Sequence, residues 1–154
     1  MTHPKKLAVL TLCLGNICRS PIAEGLIRAY AESLGLSVHI DSAGTSGYHV
    51  GEAPDPRSIR VMQKHGHDIT KQRSRQLTID DFDQFDLILA MDQSNINNAH
   101  RIAKTDSQRA KVVLFLRDGS EVPDPYYGGV NGFEDVYQMI SESASDWVKL
   151  LIGS

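Results

Sequence analysis

The chain of 154 residues is 41% hydrophobic and 23% charged, with 16 Lys and Arg against 19 Asp and Glu and a net charge of −3. That length predicts one domain over residues 1–154 with a core able to fold unaided, and the faint acidity argues against a nucleic-acid partner or a polybasic membrane anchor. No apolar run approaches ~20 residues, which excludes a membrane-spanning helix, and two cysteines, Cys13 and Cys18, are too few for a disulfide scaffold or a four-thiolate zinc site.

Leu7 to Leu12 is a continuous apolar run closed by Gly15, the pattern of a strand buried on both faces. Lys5 and Lys6 ahead of it mimic a signal peptide, but the run is short, Asn16 and Arg19 follow at once, and no small-residue cleavage site ends it. A cytoplasmic protein is expected. Ser20-Pro21 predicts a helix start, with Ser20 as N-cap and proline at the first helical position. Ile22, Leu26, Ile27, Tyr30 and Leu34 give that helix an apolar stripe, and Gly35 ends it.

Val38-His39-Ile40 reads as a second strand leading into a loop over Asp41 to Thr45. Asp55-Pro56 repeats the cap-plus-proline signal for a helix reaching His65, with Gly66 as its stop. Thr78 to Asp81 resembles a capping box with Asp in place of Glu; Asp80, Asp81 and Asp83 are expected on a solvated helix face. Leu87 to Met91 is a third strand and Val112 to Leu116 a fourth, with a helix over Gln93 to Ile102 between them. Phe133, Val136, Tyr137, Ile140, Ala144, Trp147, Val148 and Leu151 share one face of a last helix. The fold class is therefore α/β: a four-stranded parallel sheet with helices on both faces. In such sheets ligands bind beyond the carboxyl ends of the strands, so chemistry is expected after the first one.

There the chain reads Cys13-Leu14-Gly15-Asn16-Ile17-Cys18-Arg19-Ser20-Pro21. A loop of this length at a helix N-terminus can wrap a tetrahedral oxyanion, with Leu14, Gly15, Asn16, Ile17, Cys18, Arg19 and Ser20 forming the phosphate cradle. Gly15 and Asn16 tolerate the left-handed backbone that wrapping demands. The Arg19 fork can grip two oxygens, and the same positive field favours the thiolate of Cys13, to which Ser20 can donate a hydrogen bond. Two cysteines packed as plain hydrophobes are the competing reading, but a buried loop would resist Arg19 and Ser20. A nucleotide-binding loop is excluded because no Gly-Lys-Ser/Thr follows. Four residues between the thiols also fit C-x-x-C redox chemistry poorly.

The stretch from Val9 to Glu24 closely resembles the signature of the low-molecular-weight protein tyrosine phosphatases. The resemblance continues through Ile40 to Gly44, Pro54-Asp55-Pro56-Arg57, Phe85 to Asp92 and Asp124-Pro125-Tyr126-Tyr127-Gly128. It implies Cys13 as nucleophile, Arg19 as oxyanion grip and Asp124 as general acid. Prolines on both sides of Asp124 stiffen its loop; read alone, the segment would more often be a plain Asp-Pro surface turn, by about two to one. The resemblance further implies that Asn16 and Ser42, with Ser20, support the phosphate loop, and that Tyr48, Tyr126 and Tyr127 wall the substrate pocket. Gly47 departs from the acidic residue of some relatives. His65 matches a family histidine, whereas Lys71-Gln72-Arg73 stands where a second one is found in mammalian relatives.

His65-Gly66-His67-Asp68 is read as a helix end and not as a metal site. The expectation is thus a monomeric phosphatase of phosphotyrosine proteins or small aryl phosphates, needing no metal or cofactor and binding neither nucleic acid nor membrane. A thiol-dependent arsenate reductase of the same fold would need further cysteines after Cys18, and none exists. A phosphoprotein-binding module would require neither Cys13 nor Asp124. Cys13 and Cys18 also lie close enough in sequence for a redox disulfide, against which stands plain packing of Cys18.

Overall fold

The computed structural model describes residues 7–126, 128 and 131–152. Its elements, in chain order, are β1 (Leu7–Cys13), α1 (Arg19–Ser33), β2 (Val38–Gly44), α2 (Pro56–Lys64), α3 (Asp81–Gln84), β3 (Leu87–Ala90), α4 (Gln93–Ile102), α5 (Asp106–Ala110), β4 (Val112–Leu114) and α6 (Asn131–Ile152). The strands form one sheet in the order β2-β1-β3-β4, every pair parallel. Cys13 stands opposite Gly44, and Leu12 is paired with both Ala43 and Ala90.

Strand β1 is central and buried on both faces, which is why its sequence is apolar without alternation. Val9 joins a core beneath α1, α2 and α6 with Ile22, Leu26, Met62, Val136 and Ile140. Leu10 and Leu12 point the other way, onto Phe82 of α3, Phe85 and Ala99 of α4. The chain leaves β1 toward β2 and later crosses to β3 on the opposite side, so the sheet reverses direction at the carboxyl end of β1. A crevice opens at such a point. Among the described residues no helix is long and apolar enough to cross a membrane.

Several boundaries differ from the sequence reading. The second strand runs on to Gly44, because Asp41, Ser42 and Ala43 all pair with β1; polar Asp41 and Ser42 masked its extent. Strands β3 and β4 end at Ala90 and Leu114, short of Met91 and Leu116. Helix α5 carries no apolar stripe and was not anticipated; Thr105 and Gln108 close a capping box on it. Asp81 is buried and not solvated: its carboxylate takes two hydrogen bonds from Arg75, each 3.0 Å, and one from the Thr78 N–H at 2.8 Å. The capping signal was real, but the carboxylate also neutralises a partly buried guanidinium. At α2 the expected cap holds, with Asp55 accepting from the Arg57 N–H and Gly66 at φ 87° beyond the helix end.

Candidate active site

Helix α1 begins at Arg19, one residue before the expected Ser20 cap, and its N-cap Cys18 makes no side-chain capping bond. The Ser20 hydroxyl lies instead 3.0 Å from Cys13 Sγ and accepts from Asn16 Nδ2 at 2.8 Å. With its acceptor side occupied by an amide, its proton is directed at the sulfur. Asn16 has φ 58°, the only left-handed non-glycine among the described residues. Its Oδ1 accepts from the Arg75 N–H at 3.0 Å, which turns the amide NH₂ toward Ser20 and Ser42, 2.8 and 2.9 Å away. Ser42 donates in turn to Glu24 at 2.7 Å, and Arg28 donates to Glu24 at 2.7 Å. This fully used network fixes the strained turn of the loop.

The loop carbonyls are held from outside. Cys13 O accepts from the Thr45 N–H, Leu14 O from the Ser46 N–H, and Ile17 O from the Asp55 N–H. Gly15 O accepts from Ser74 Oγ and Cys18 O from Ser58 Oγ. In a planar trans peptide the next N–H points opposite to the carbonyl. The N–H groups of Leu14, Gly15, Asn16, Cys18 and Arg19 therefore face away from the scaffold, into the bowl. The Asn16 N–H does so visibly, donating to Cys13 Sγ at 3.2 Å. Gly44 lies beneath: a Cβ there would come within 2.8 Å of Leu14 O, so only glycine lets β2 approach this closely.

Arg19 is 2% exposed. Its Nη1 donates to Asp92 at 2.7 Å and to the Val122 carbonyl at 2.9 Å, while Nη2 lies 3.8 Å from Asp124 Oδ2. Burial alone would lower its pKa, but the charges of Cys13, Asp92 and Asp124 outweigh burial and raise it. The group is a permanent cation whose Nη1 is anchored and whose Nη2 lies toward Asp124 in the cleft. Asp124 is accessible and accepts from the Tyr126 N–H at 3.1 Å. Cys18 behaves differently: burial first, then the charges of Asp55, Cys13 and Asp124, push its thiol far up. Both cysteines are free and buried.

Cys13, Arg19 and Asp124 meet in one cleft of about 300 Å³, with Tyr48, His49 and Tyr126 at its walls. Tyr48 is 86% exposed and Tyr126 37%. Tyr48 thus lines the cleft at its open mouth. Tyr127 lies outside the described residues. His65, by contrast, is remote from the sulfur's partners: it bonds Glu134 at 3.0 Å and stacks on Tyr137.

Sequence reasoning missed Asp92, Glu24, Ser74 and His49. Asp92 had a legible signal, as a carboxylate just past the end of a strand that neighbours β1. Glu24 also had one, standing a helical turn after Ser20 on the face toward Ser42. Ser74 and His49 come from irregular segments whose paths no local pattern reveals. His49 bonds Glu52 at 2.7 Å and crosses Gly15 so closely that a Cβ there would lie 3.0 Å from its ring.

Residues 8–152 match the family model described as low molecular weight phosphotyrosine protein phosphatase. The chain is 45% identical over 153 residues to the "Low molecular weight phosphotyrosine protein phosphatase" of Schizosaccharomyces pombe, covering 94% of this chain and 97% of that protein. Its fold is similar to that of YfkJ from Bacillus subtilis, with TM-score 0.91 and 33% identity over 99% of this chain and 98% of that one. It is also similar to Vibrio vulnificus Wzb in complex with benzylphosphonate, with TM-score 0.86 and 30% identity over 94% and 99% of the two chains.

Proposed function

This chain belongs to the low molecular weight phosphotyrosine protein phosphatase family of cysteine-dependent hydrolases, and from that premise we propose that it hydrolyses phosphotyrosine and other aryl phosphate monoesters through a phosphocysteine at Cys13. Cys13 Sγ attacks phosphorus in line, forming the S–P bond as the P–O bond to the phenol breaks. Asp124 delivers its proton to the departing oxygen. The Arg19 side chain and the inward N–H groups of Leu14, Gly15, Asn16, Cys18 and Arg19 hold the equatorial oxygens where charge sits in the transition state. Water then attacks phosphorus, Asp124 takes its proton, and the sulfur leaves as thiolate, stabilised by Ser20. The positive field comes from the chain itself, so the reaction calls for no metal or cofactor.

The observation that carries this reading is the placing of Asp124 3.8 Å from the fork of Arg19, in the cleft that holds Cys13. A binding module would have no use for that carboxylate, which repels the anion it faces. The benzylphosphonate held by the Vibrio vulnificus protein supports an aryl group between Tyr48 and Tyr126. The sulfur is buried, so a phenol reaches it and the shorter serine chain does not. Peptides with phosphotyrosine should be cleaved with a kcat/KM far above that of matched phosphoserine peptides; comparable values would contradict the pocket. The enzyme is proposed to act as a cytoplasmic monomer.

The reading extends to redox control. Peroxide would oxidise the Cys13 thiolate to a sulfenic acid, releasing hydroxide; Cys18 would then form the disulfide with loss of water. Peroxide-treated wild type should regain activity with dithiothreitol, and Cys18→Ser should recover poorly. Equal recovery would leave Cys18 as packing.

A further inference from the structure

The motif Pro54-Asp55-Pro56-Arg57 has no part in the chemistry above, yet it joins the phosphate loop to the aryl wall. The Asp55 N–H donates to Ile17 O at 2.8 Å, fixing that motif to the loop. The Asp55 carboxylate receives Arg57 Nε at 3.0 Å and Nη2 at 2.9 Å, so the guanidinium plane is oriented by two hydrogen bonds. That plane lies against two rings: Arg57 Cζ is 4.5 Å from the Phe133 ring centre and 5.4 Å from that of Tyr126. Phe133 is buried in the core on α6, whereas Tyr126 is part of the cleft wall.

We infer that Arg57 is a positioning residue for substrate selection: oriented by Asp55 and backed by Phe133, it holds the Tyr126 ring where the aryl group of the substrate packs. The cation attracts the face of the ring, and its planar fork supplies an orientation that a lysine ammonium lacks. Asp55 stays charged for this task, because hydrogen bonds from Arg57 outweigh its burial and hold its carboxyl below the usual range. A helix-capping role alone would need the Asp55 carboxylate and the Arg57 N–H, and would be indifferent to the Arg57 side chain.

The inference rests on the proposed aryl pocket and separates from it by experiment. Arg57→Leu should raise KM for phenyl phosphate about three- to tenfold while inhibition by inorganic phosphate changes less than about twofold, since Tyr126 touches the ring and not the anion. In a Tyr126→Ala background the same substitution should add nothing. An unchanged KM, a parallel loss of phosphate inhibition, or an equal effect in the Tyr126→Ala background would overturn it. Should Arg57→Leu fail to fold by circular dichroism, Arg57→Lys carries the comparison with the same expected direction. If the wild type leaves phenyl phosphate intact, the proposed reaction fails on its own, and calorimetric binding of phenylphosphonate then tests Arg57 by the same contrast.

Discussion

Cys13→Ser is expected to abolish turnover while leaving inorganic phosphate bound at least as tightly as in the wild type. Serine supplies no anion at neutral pH, and the hydroxyl of Ser20, already filled on its acceptor side by Asn16, offers it no base. Binding should survive because the cradle does not depend on the sulfur. The loop carbonyls stay pinned by Thr45, Ser46, Ser74, Asp55 and Ser58, and Arg19 stays anchored to Asp92 and Val122. Removing a negative charge from the floor of the bowl also removes repulsion against the ligand. Nitrophenol release and phosphate calorimetry on one preparation check both halves. Residual turnover near the wild-type rate would dismiss Cys13 as nucleophile, and loss of phosphate binding would mean the sulfur itself holds the loop in shape.

Asp124→Ala should slow hydrolysis of phenyl phosphate by about 10²–10⁴-fold, the usual worth of a positioned proton donor. The loss should shrink as the leaving phenol becomes more acidic, because a stable phenolate departs without a proton. Asp124 suits this task through position: its loop is stiffened by Pro123 and Pro125, and the Tyr126 N–H holds Oδ1 at 3.1 Å while Oδ2 turns toward Arg19. A plot of rate against leaving-group pKa should therefore be flatter in the wild type than in Asp124→Ala. Parallel lines would remove Asp124 from proton transfer.

The sheet and its central loop were legible because each rests on local chemistry. An unbroken apolar strand, a nine-residue loop and a capped helix can each be read within one window of sequence. What stayed hidden depends on chain segments meeting from far apart. Ser42 sits in a strand that polar Asp41 disguised as a loop, and Ser74 reaches Gly15 from an irregular stretch. Ser20 looked like a helix cap because serine before proline usually is one; here the Cys13 sulfur and Asn16 claim the hydroxyl instead. Asp81 looked solvated by composition, but Arg75 draws it into the interior. For Ser20 and Asp81 the partner lies only four to seven residues away, yet it outweighed the preference for a helix cap or for solvent.

The phosphoryl–sulfur bond is the point on which all else turns. Wild-type enzyme mixed with excess p-nitrophenyl phosphate and quenched into denaturant within milliseconds should carry one phosphoryl group on the peptide that contains Cys13, detected by mass spectrometry and absent from Cys13→Ser. A phosphoryl group on another nucleophilic side chain lining the cleft, such as His49 or Cys18, or rapid nitrophenol release with no covalent adduct, would contradict catalysis through Cys13.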